Sequence, residues 1–410
     1  MNHISRLSTD RFFLRRRQIA GLGSAILLFF ALPSSARLVP LSETVFPELP
    51  ANVFIGLAPL AERGVVVAWL DAGMKVLRAR ELGEDLGERR DFNVADSRQG
   101  PGRLFLCPQV ARIGQGRLVF AWSEVGESDL RSRVAYRVMN EDGSPRSPIR
   151  FAEGDQRLFD PSCPRLSGGD TGFVIAWNSS LHPVGPPYGL RARTFSVKGL
   201  PTSPPIDLAF SEGITFPAEI VVNDDGGFAA AWILNKEAGD ANELLLGRFE
   251  RDGRPIGRPL SVATEVRDLI AFAAGSQSRS ELIWAVREGD DHRTLRAQLF
   301  DRNLRALSPV RTVFSGGQVV IPAAAVDRRG RTALLVRDGA SLYGLEVDPS
   351  LRRTCGAAIR VNTELPQGFS PVVVSAPGEI VVAGVETAAE PYRPKVIVRR
   401  YRLGACSSAP

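Results

Sequence analysis

The sequence predicts an all-β fold: a seven-bladed β-propeller with four antiparallel strands per blade and an N-terminal strand closing the last blade. Three observations predict it. A short apolar run ending in tryptophan recurs about every 53 residues. Turn residues and further short apolar runs fill each interval in one order. Once an apparent leader of 36 residues is removed from the 410, about 374 remain, which divides by seven at that same period. Composition agrees: 44% hydrophobic, 23% charged, 39 Gly and 29 Pro argue against disorder, collagen, coiled coil and a polytopic membrane protein.

The leader comes first in the chain. Arg15 to Arg17 precede an apolar run of 14 residues from Ile19 to Leu32, followed by Pro33-Ser34-Ser35-Ala36, small side chains of the kind a signal peptidase reads. Residues 1–36 are therefore expected to be a signal peptide cleaved after Ala36, with the protein exported to the periplasm or the exterior. The run is shorter than the ~20 residues of a spanning helix, which disfavours an uncleaved anchor, and no later segment is apolar enough to span. Arg16-Arg17-Gln18-Ile19-Ala20, with Gly21 and Gly23 softening the run, resembles a twin-arginine export signal; general secretion is the alternative. No Cys precedes Cys107, so no lipid-modified N-terminal cysteine is expected. The formal net charge of +6 is concentrated here: the leader holds five Arg and one Asp, leaving 46 basic and 44 acidic residues. A balance of +2 gives no basic field for nucleic acid or anionic lipid.

The repeat runs Val65 to Trp69, Leu118 to Trp122, Phe173 to Trp177, Phe228 to Trp232 and Leu282 to Trp284, at spacings of 53, 55, 55 and 52. Continuing the period lands on Ala333 to Val336 and Ile380 to Gly384, two further units without the tryptophan. A glycine five or six positions ahead (Gly64, Gly116, Gly172, Gly227, Gly330, Gly378) reads as a tight turn into a buried strand. Before it lies a first strand often opened by proline (Pro108, Pro164, Pro217, Pro322, Pro371), where a missing N–H breaks no ladder bond. After the tryptophan, read as the end of its strand, a polar loop leads to an alternating third strand such as Val134 to Val138 or Leu190 to Phe195. Turns such as Asp142-Gly143 and Lys198-Gly199 then lead to a fourth strand. Blades are expected at about 50–97, 105–152, 161–210, 216–263, 268–315, 320–363 and 370–406. The seventh unit ends after its third strand, so residues 38–45 are expected to supply its outer strand and remove an open edge.

The stretches Gly172-Phe173 to Trp177 with Arg193 to Gly199, and Gly227-Phe228 to Trp232 with Arg248-Phe249 to Gly253, resemble the secreted bacterial β-propeller repeats that read Gly-Phe-Val-x-x-Trp, a loop, then Arg-x-Phe-x-x-x-Gly. The resemblance covers nearly the whole chain after the leader and implies a scaffold. The Gly-His and Trp-Asp pairs of WD40 blades and the Ser-x-Asp-x-Gly-x-Thr-Trp box of sialidases do not occur, so no enzyme follows by analogy.

Few residues point to chemistry. Cys107 and Cys163 stand at equivalent places in adjacent units and are expected to pair; Cys355 and Cys406, each after a third strand, are expected to bridge the closing blades, with reduced thiols or another connectivity as alternatives. Only His182 and His292 remain after the leader, too few for a zinc site without several carboxylates, and they read as solvated loop residues. Asn223-Asp224-Asp225-Gly226-Gly227 and Asn140-Glu141-Asp142-Gly143 read as Asx-shaped turns rather than calcium loops. No Gly-x-Ser-x-Gly occurs, and the tryptophans read as packing between blades rather than sugar platforms. No metal and no cofactor are expected.

What differs between units is the loop after the tryptophan, Ser123 to Arg131, Asn178 to Gly189, Ile233 to Asn242, Arg287 to Thr294 and Glu386 to Lys395. These loops emerge on one face and form the expected contact surface, with Asn178, His182, Tyr188, Asp291, His292 and Tyr392 as candidate ligand-binding residues. The expected function is a monomeric, non-enzymatic binding propeller whose partner is a protein or glycan. A hydrolase or lyase acting on polysaccharide at the channel mouth, and a purely structural scaffold, are the alternatives.

Overall fold

The computed structural model describes residues 39–46, 54–60, 63–98, 102–128, 132–153, 163–180, 188–211, 218–234, 242–274, 279–288, 292–317, 319–326, 330–338, 341–352, 359–362, 372–376, 378–387 and 394–402. All lie in the unit Ser35–Pro410. The leader, Cys355 and Cys406 lie outside them.

The first strand, β1 (Val39–Phe46), stands apart from its neighbours in sequence. Blade 1 is β2 (Ile55–Pro59), β3 (Val65–Leu70), β4 (Val76–Leu82) and β5 (Glu88–Asp96). Blade 2 is β6 (Arg103–Ile113), β7 (Arg117–Gly126), β8 (Ser132–Asn140) and β9 (Arg150–Phe151). Blade 3 is β10 (Arg165–Gly168), β11 (Gly172–Ser180), β12 (Tyr188–Ser196) and β13 (Ile206–Ser211). Blade 4 is β14 (Glu219–Val222), β15 (Phe228–Leu234), β16 (Glu243–Phe249) and β17 (Leu260–Thr264). Blade 5 is β18 (Val266–Ala274), β19 (Ser280–Arg287), β20 (Arg293–Phe300) and β21 (Arg311–Gly316). Blade 6 is β22 (Val319–Val326), β23 (Thr332–Asp338), β24 (Ser341–Val347) and β25 (Ile359–Asn362). Blade 7 joins β26 (Val372–Ala376), β27 (Glu379–Thr387) and β28 (Pro394–Arg402) to β1 in the order β1-β28-β27-β26.

Every sheet is an antiparallel meander of four strands. The first strands touch in sequence, β2 to β6, β10, β14, β18, β22, β26 and back to β2, which closes a ring. The fold is a seven-bladed β-propeller with the N-terminal strand in the last blade, as the repeat predicts. Each meander sends its first-to-second and third-to-fourth turns to one end of the ring, the turn face. The second-to-third loops and the joins between blades lie at the other, the loop face.

The core is divided into seven wedges, one between each pair of neighbouring blades. Trp69, Trp122, Trp177, Trp232 and Trp284 each enter a different wedge, filling the space that widens between twisted sheets. The wedges between blades 5 and 6 and between blades 6 and 7 have no indole; they are built from Leu, Val, Ile, Ala and Tyr401. This same sector also holds buried charged groups. Glu281 of blade 5 accepts a hydrogen bond from the Thr332 hydroxyl of blade 6. Arg331 pairs with Glu346 at 3.4 Å and lies against the Gly378 turn of blade 7. Arg400 on β28 reaches Glu379 on β27 at 3.3 Å and donates to the Arg63 carbonyl of blade 1 at 2.6 Å.

The turn glycines answer two needs. Gly116 takes φ 65°, where a side chain is disfavoured. Gly172 instead lies so close to the third strand that a Cβ would collide with the Phe195 carbonyl.

Two local expectations are corrected. Pro108 and Pro322 do not open their strands but sit inside β6 and β22, at register shifts between Leu106 and Gln109 and between Val320 and Ala323. A bulge leaves one residue out of the ladder, so the missing N–H is tolerated there too. Nor does the tryptophan end its strand. β7 continues from Trp122 to Gly126 and β11 from Trp177 to Ser180, with polar residues pairing across the hairpin, as Glu124 does opposite Arg133. The second strands of blades 2 to 5 and 7 accordingly run on to Gly126, Ser180, Leu234, Arg287 and Thr387.

One repeated device carries a signal the tryptophan pattern does not. Between third and fourth strands, Ser147, Ser203 and Ser308 each precede a proline and accept the amides of Val138, Thr194 and Leu299 at 3.0, 3.1 and 3.1 Å. Their carbonyls accept side-chain N–H groups of Arg137, Arg193 and Gln298 at 3.2, 2.9 and 3.0 Å. The serine hydroxyl thus substitutes for a ladder partner where proline has interrupted the fourth strand.

Candidate functional site

The described part of the loop face is best formed in blade 2. Glu124, two residues after Trp122, points the same way as the indole because side chains alternate along a strand. Its Oε1 accepts the Trp122 Nε1–H at 3.3 Å and its Oε2 accepts Arg133 Nε and Nη2 at 3.0 and 2.8 Å. Arg103, at the start of β6, stands 4.0 Å from the same carboxylate. The Arg133 guanidinium lies 3.7 Å from the centre of the Phe151 ring, a cation–π contact that shields the ion pair. Glu153, just beyond β9, accepts the Val134 amide at 2.6 Å through Oε1. Its Oε2 is buried with no partner among the described residues. Burial pushes the Glu153 carboxyl up to about 8, and the charge of nearby Glu124 adds to the shift. At neutral pH Glu153 is therefore a protonated acid beside an arginine-clamped carboxylate.

A covalent tie fixes this sector. Cys107, in the β6 bulge, and Cys163, just before β10, form a disulfide with their Cα atoms 5.1 Å apart, joining blades 2 and 3 at the loop face. The expected pair is thus the observed one.

Of the candidate ligand residues, Asn178 lies in β11 opposite Leu190, and Tyr188 opens β12, paired with Ser180 and Ser211. His292 is exposed ahead of β20, its carbonyl accepting the Glu288 amide at 2.9 Å. Asn178 and Tyr188 share blade 3, whereas His292 is in blade 5, with blade 4 between them. His182, Asp291 and Tyr392 lie outside the described residues. Sequence reading missed Glu124 because it assigned Ser123 to Arg131 to a loop, and it missed Arg133 and Glu153 because neither belongs to the repeated apolar pattern. Strand alternation carried past the tryptophan would have placed Glu124 beside the indole.

A second perturbed acid lies at the other end of the ring. Glu281, near the start of β19 on the turn face, is raised to about 7 by burial, and its hydrogen bond from Thr332 opposes the shift. Among the described residues no three His, Cys, Asp or Glu side chains gather as a metal ion would require, and no helix is long and apolar enough to cross a membrane.

The raised value at Glu153 gives a pH prediction. The fold keeps the proton up to about pH 8, while the unfolded chain releases it near 4.5, so stability falls as pH rises across that window. Glu153→Gln keeps the acceptor for Val134 and removes the slope. By thermal melts, wild type and variant should match near pH 4, and the variant should be more stable by roughly 3–5 kcal/mol above pH 8. Parallel pH profiles would contradict this.

No protein-family model and no curated protein matches this chain. Solved structures do. The polysaccharide lyase Uly1 aligns with a TM-score of 0.58 at 8% identity, covering 89% of this chain and 100% of that one. The α-L-arabinofuranosidase Arb93A from Fusarium graminearum gives 0.48 at 9%, covering 88% and 98%. The fucose-specific lectin from Aleuria aurantia gives 0.45 at 13%, covering 79% and 100%. At 8% identity the likeness to the lyase is one of fold alone.

Proposed function

We propose that the protein is an exported, non-catalytic propeller that binds a glycan or protein partner through its loop face. The observation that carries the reading is the separation of the two carboxyl groups whose pKa burial raises among the described residues. Cleavage of a glycosidic bond by paired carboxyl groups needs the two within roughly 5–10 Å of each other across one substrate bond. Glu153 stands on the loop face of blade 2 and Glu281 on the turn face of blade 5, each accepting an internal hydrogen bond. Glu124, the acid near Glu153, has both oxygens engaged by Trp122 and Arg133. These carboxyl groups hold strands together. The loops beyond the tryptophans, by contrast, differ in length and composition on a repeated scaffold, which is the layout of a recognition surface. Asn178, His182, Tyr188, Asp291, His292 and Tyr392 belong to that surface in this reading. The shared ring of the polysaccharide lyase is compatible with a glycan partner. Export is supported by the Arg15–Arg17 and Ile19–Leu32 pattern and by the Cys107–Cys163 disulfide, which suits an oxidising compartment.

The test uses the full chain after Ala36 on a panel of immobilised polysaccharides, beside a variant in which 181–187 is replaced by a short Gly-Ser turn. The expected result is saturable binding to at least one polymer, weakened about tenfold or more in the variant, with no new reducing ends or unsaturated products. Product release would establish catalysis instead. No binding, or binding indifferent to the replacement, would refute the loop-face glycan reading.

A further inference from the structure

The turn face carries a cleft between blades 4 and 5 that lies away from the loop-face surface. Its volume is about 350 Å³ and its floor includes Val221, Ala229 and Leu304, a size at the lower end of small-ligand pockets. The rim is polar. It consists of the β14–β15 turn with Asn223, Asp224 and Asp225, Arg279 ahead of β19, and the turn after β20 with Asp301 and Arg302.

Some of these groups are committed to the fold. Asp225 accepts the Gly227 amide at 2.9 Å and Arg248 Nη2 at 3.2 Å. Asp301 Oδ1 accepts the amides of Asn303 and Arg305, both at 2.8 Å. The remainder are uncommitted. Among the described residues, Asp224, Arg279 and Arg302 make no hydrogen bond or ion pair, and the buried Asn223 Nδ2 has no acceptor. A buried amide N–H without an acceptor is costly, and a ligand oxygen would satisfy it.

The uncommitted groups define a ligand by complementarity. Two guanidinium groups and an amide N–H call for an oxygen anion; the free carboxylate beside them calls for a cation. With Asp225 answered by Arg248, the lining as a whole is close to neutral: a purely anionic ligand would face Asp224 and Asp301 unrelieved, and a purely cationic one would face Arg279 and Arg302. We infer that the cleft binds a small zwitterion, an α-amino carboxylate of amino-acid to dipeptide size, with its carboxylate on Arg279, Arg302 and the Asn223 amide and its ammonium on Asp224. The site is independent of the loop-face surface, on the opposite end of the ring.

The experiment is a thermal-shift and calorimetric titration of the full chain after Ala36 with the standard amino acids and a set of dipeptides, beside propionate as carboxylate alone and propylamine as ammonium alone. At least one zwitterion should raise the melting temperature saturably, and the single-charge analogues should bind about tenfold more weakly or worse. Arg302→Ala and Asp224→Asn change exposed side chains, so each should keep the unliganded melt while weakening binding about tenfold or more. Replacing 181–187 on the loop face should leave the titration unchanged. No saturable response to any zwitterion, equal binding by a single-charge analogue, or variants that bind like wild type would overturn the assignment.

Discussion

Deleting residues 37–48, which contain β1, should bring the ring close to unfolding. Seven residue pairs join β1 to β28, from Val39 opposite Arg402 to Phe46 opposite Val396, and Glu43 forms a cross-strand ion pair with Arg399 directly opposite. Phe46 is buried in the wedge between blades 7 and 1, its ring 5.7 Å from that of Trp69 with the Arg80 guanidinium over it at 4.9 Å. Losing a buried phenylalanine alone costs roughly 3–5 kcal/mol, against a typical total stability of about 5–15 kcal/mol. Removing the whole strand adds the ladder and leaves β28 as an open edge, a template for aggregation. Calorimetry and far-ultraviolet circular dichroism should show a collapsed or much earlier transition, Phe46→Ala an intermediate one, and a peptide spanning 37–48 should restore part of the loss when added in trans. A deletion melting like the intact chain would reject closure by this strand.

The second large effect is expected at Arg400. Its side chain is 2% exposed, joined to Glu379, which in turn accepts Arg63 Nη2 of blade 1 at 2.6 Å. Burying such a pair is barely profitable relative to apolar residues, yet breaking it leaves an uncompensated charge in a low dielectric. Arg400→Met should therefore cost roughly 3–5 kcal/mol, and Glu379→Gln a comparable amount. The double variant Arg400→Met/Glu379→Gln should cost clearly less than the two singles together, a coupling of about 1–3 kcal/mol in denaturant titrations. Additive losses would mean that the two side chains stabilise the seam separately.

Much of this architecture was legible because a propeller repeats its instructions. Trp122, Trp177 and Trp232 recur with their apolar neighbours and turn glycines, so one unit's reading is checked by the next. The closing strand was legible from arithmetic, a last unit one strand short beside an unpaired N-terminal segment. The disulfide followed from Cys107 and Cys163 occupying equivalent positions in adjacent units. Features that occur once were harder. Glu124 and Glu153 belong to blade 2 alone, and their proximity is created by a hairpin and a strand end, 29 positions apart in sequence. The blade 4–5 cleft was opaque for the same reason. Asn223 to Asp225 read correctly as a turn, but nothing local indicates that Arg279 and Arg302 of the next blade face it. The Ser-Pro pairs at 147, 203 and 308 stand in the sequence, but their role depends on an amide of the preceding strand that only the folded turn brings to the hydroxyl.

The uneven placement of the indoles has an experimental consequence. Blades 1 to 5 each carry one tryptophan, while blades 6 and 7 carry none, and the wedges between 5 and 6 and between 6 and 7 lack an indole as well. Intrinsic fluorescence is thus a sectoral reporter. Loosening confined to blade 6 and its flanking interfaces would change amide ellipticity while leaving emission nearly constant. If that arc opens first, the two optical signals will cease to superimpose on heating, and an emission-only melt will overstate cooperativity.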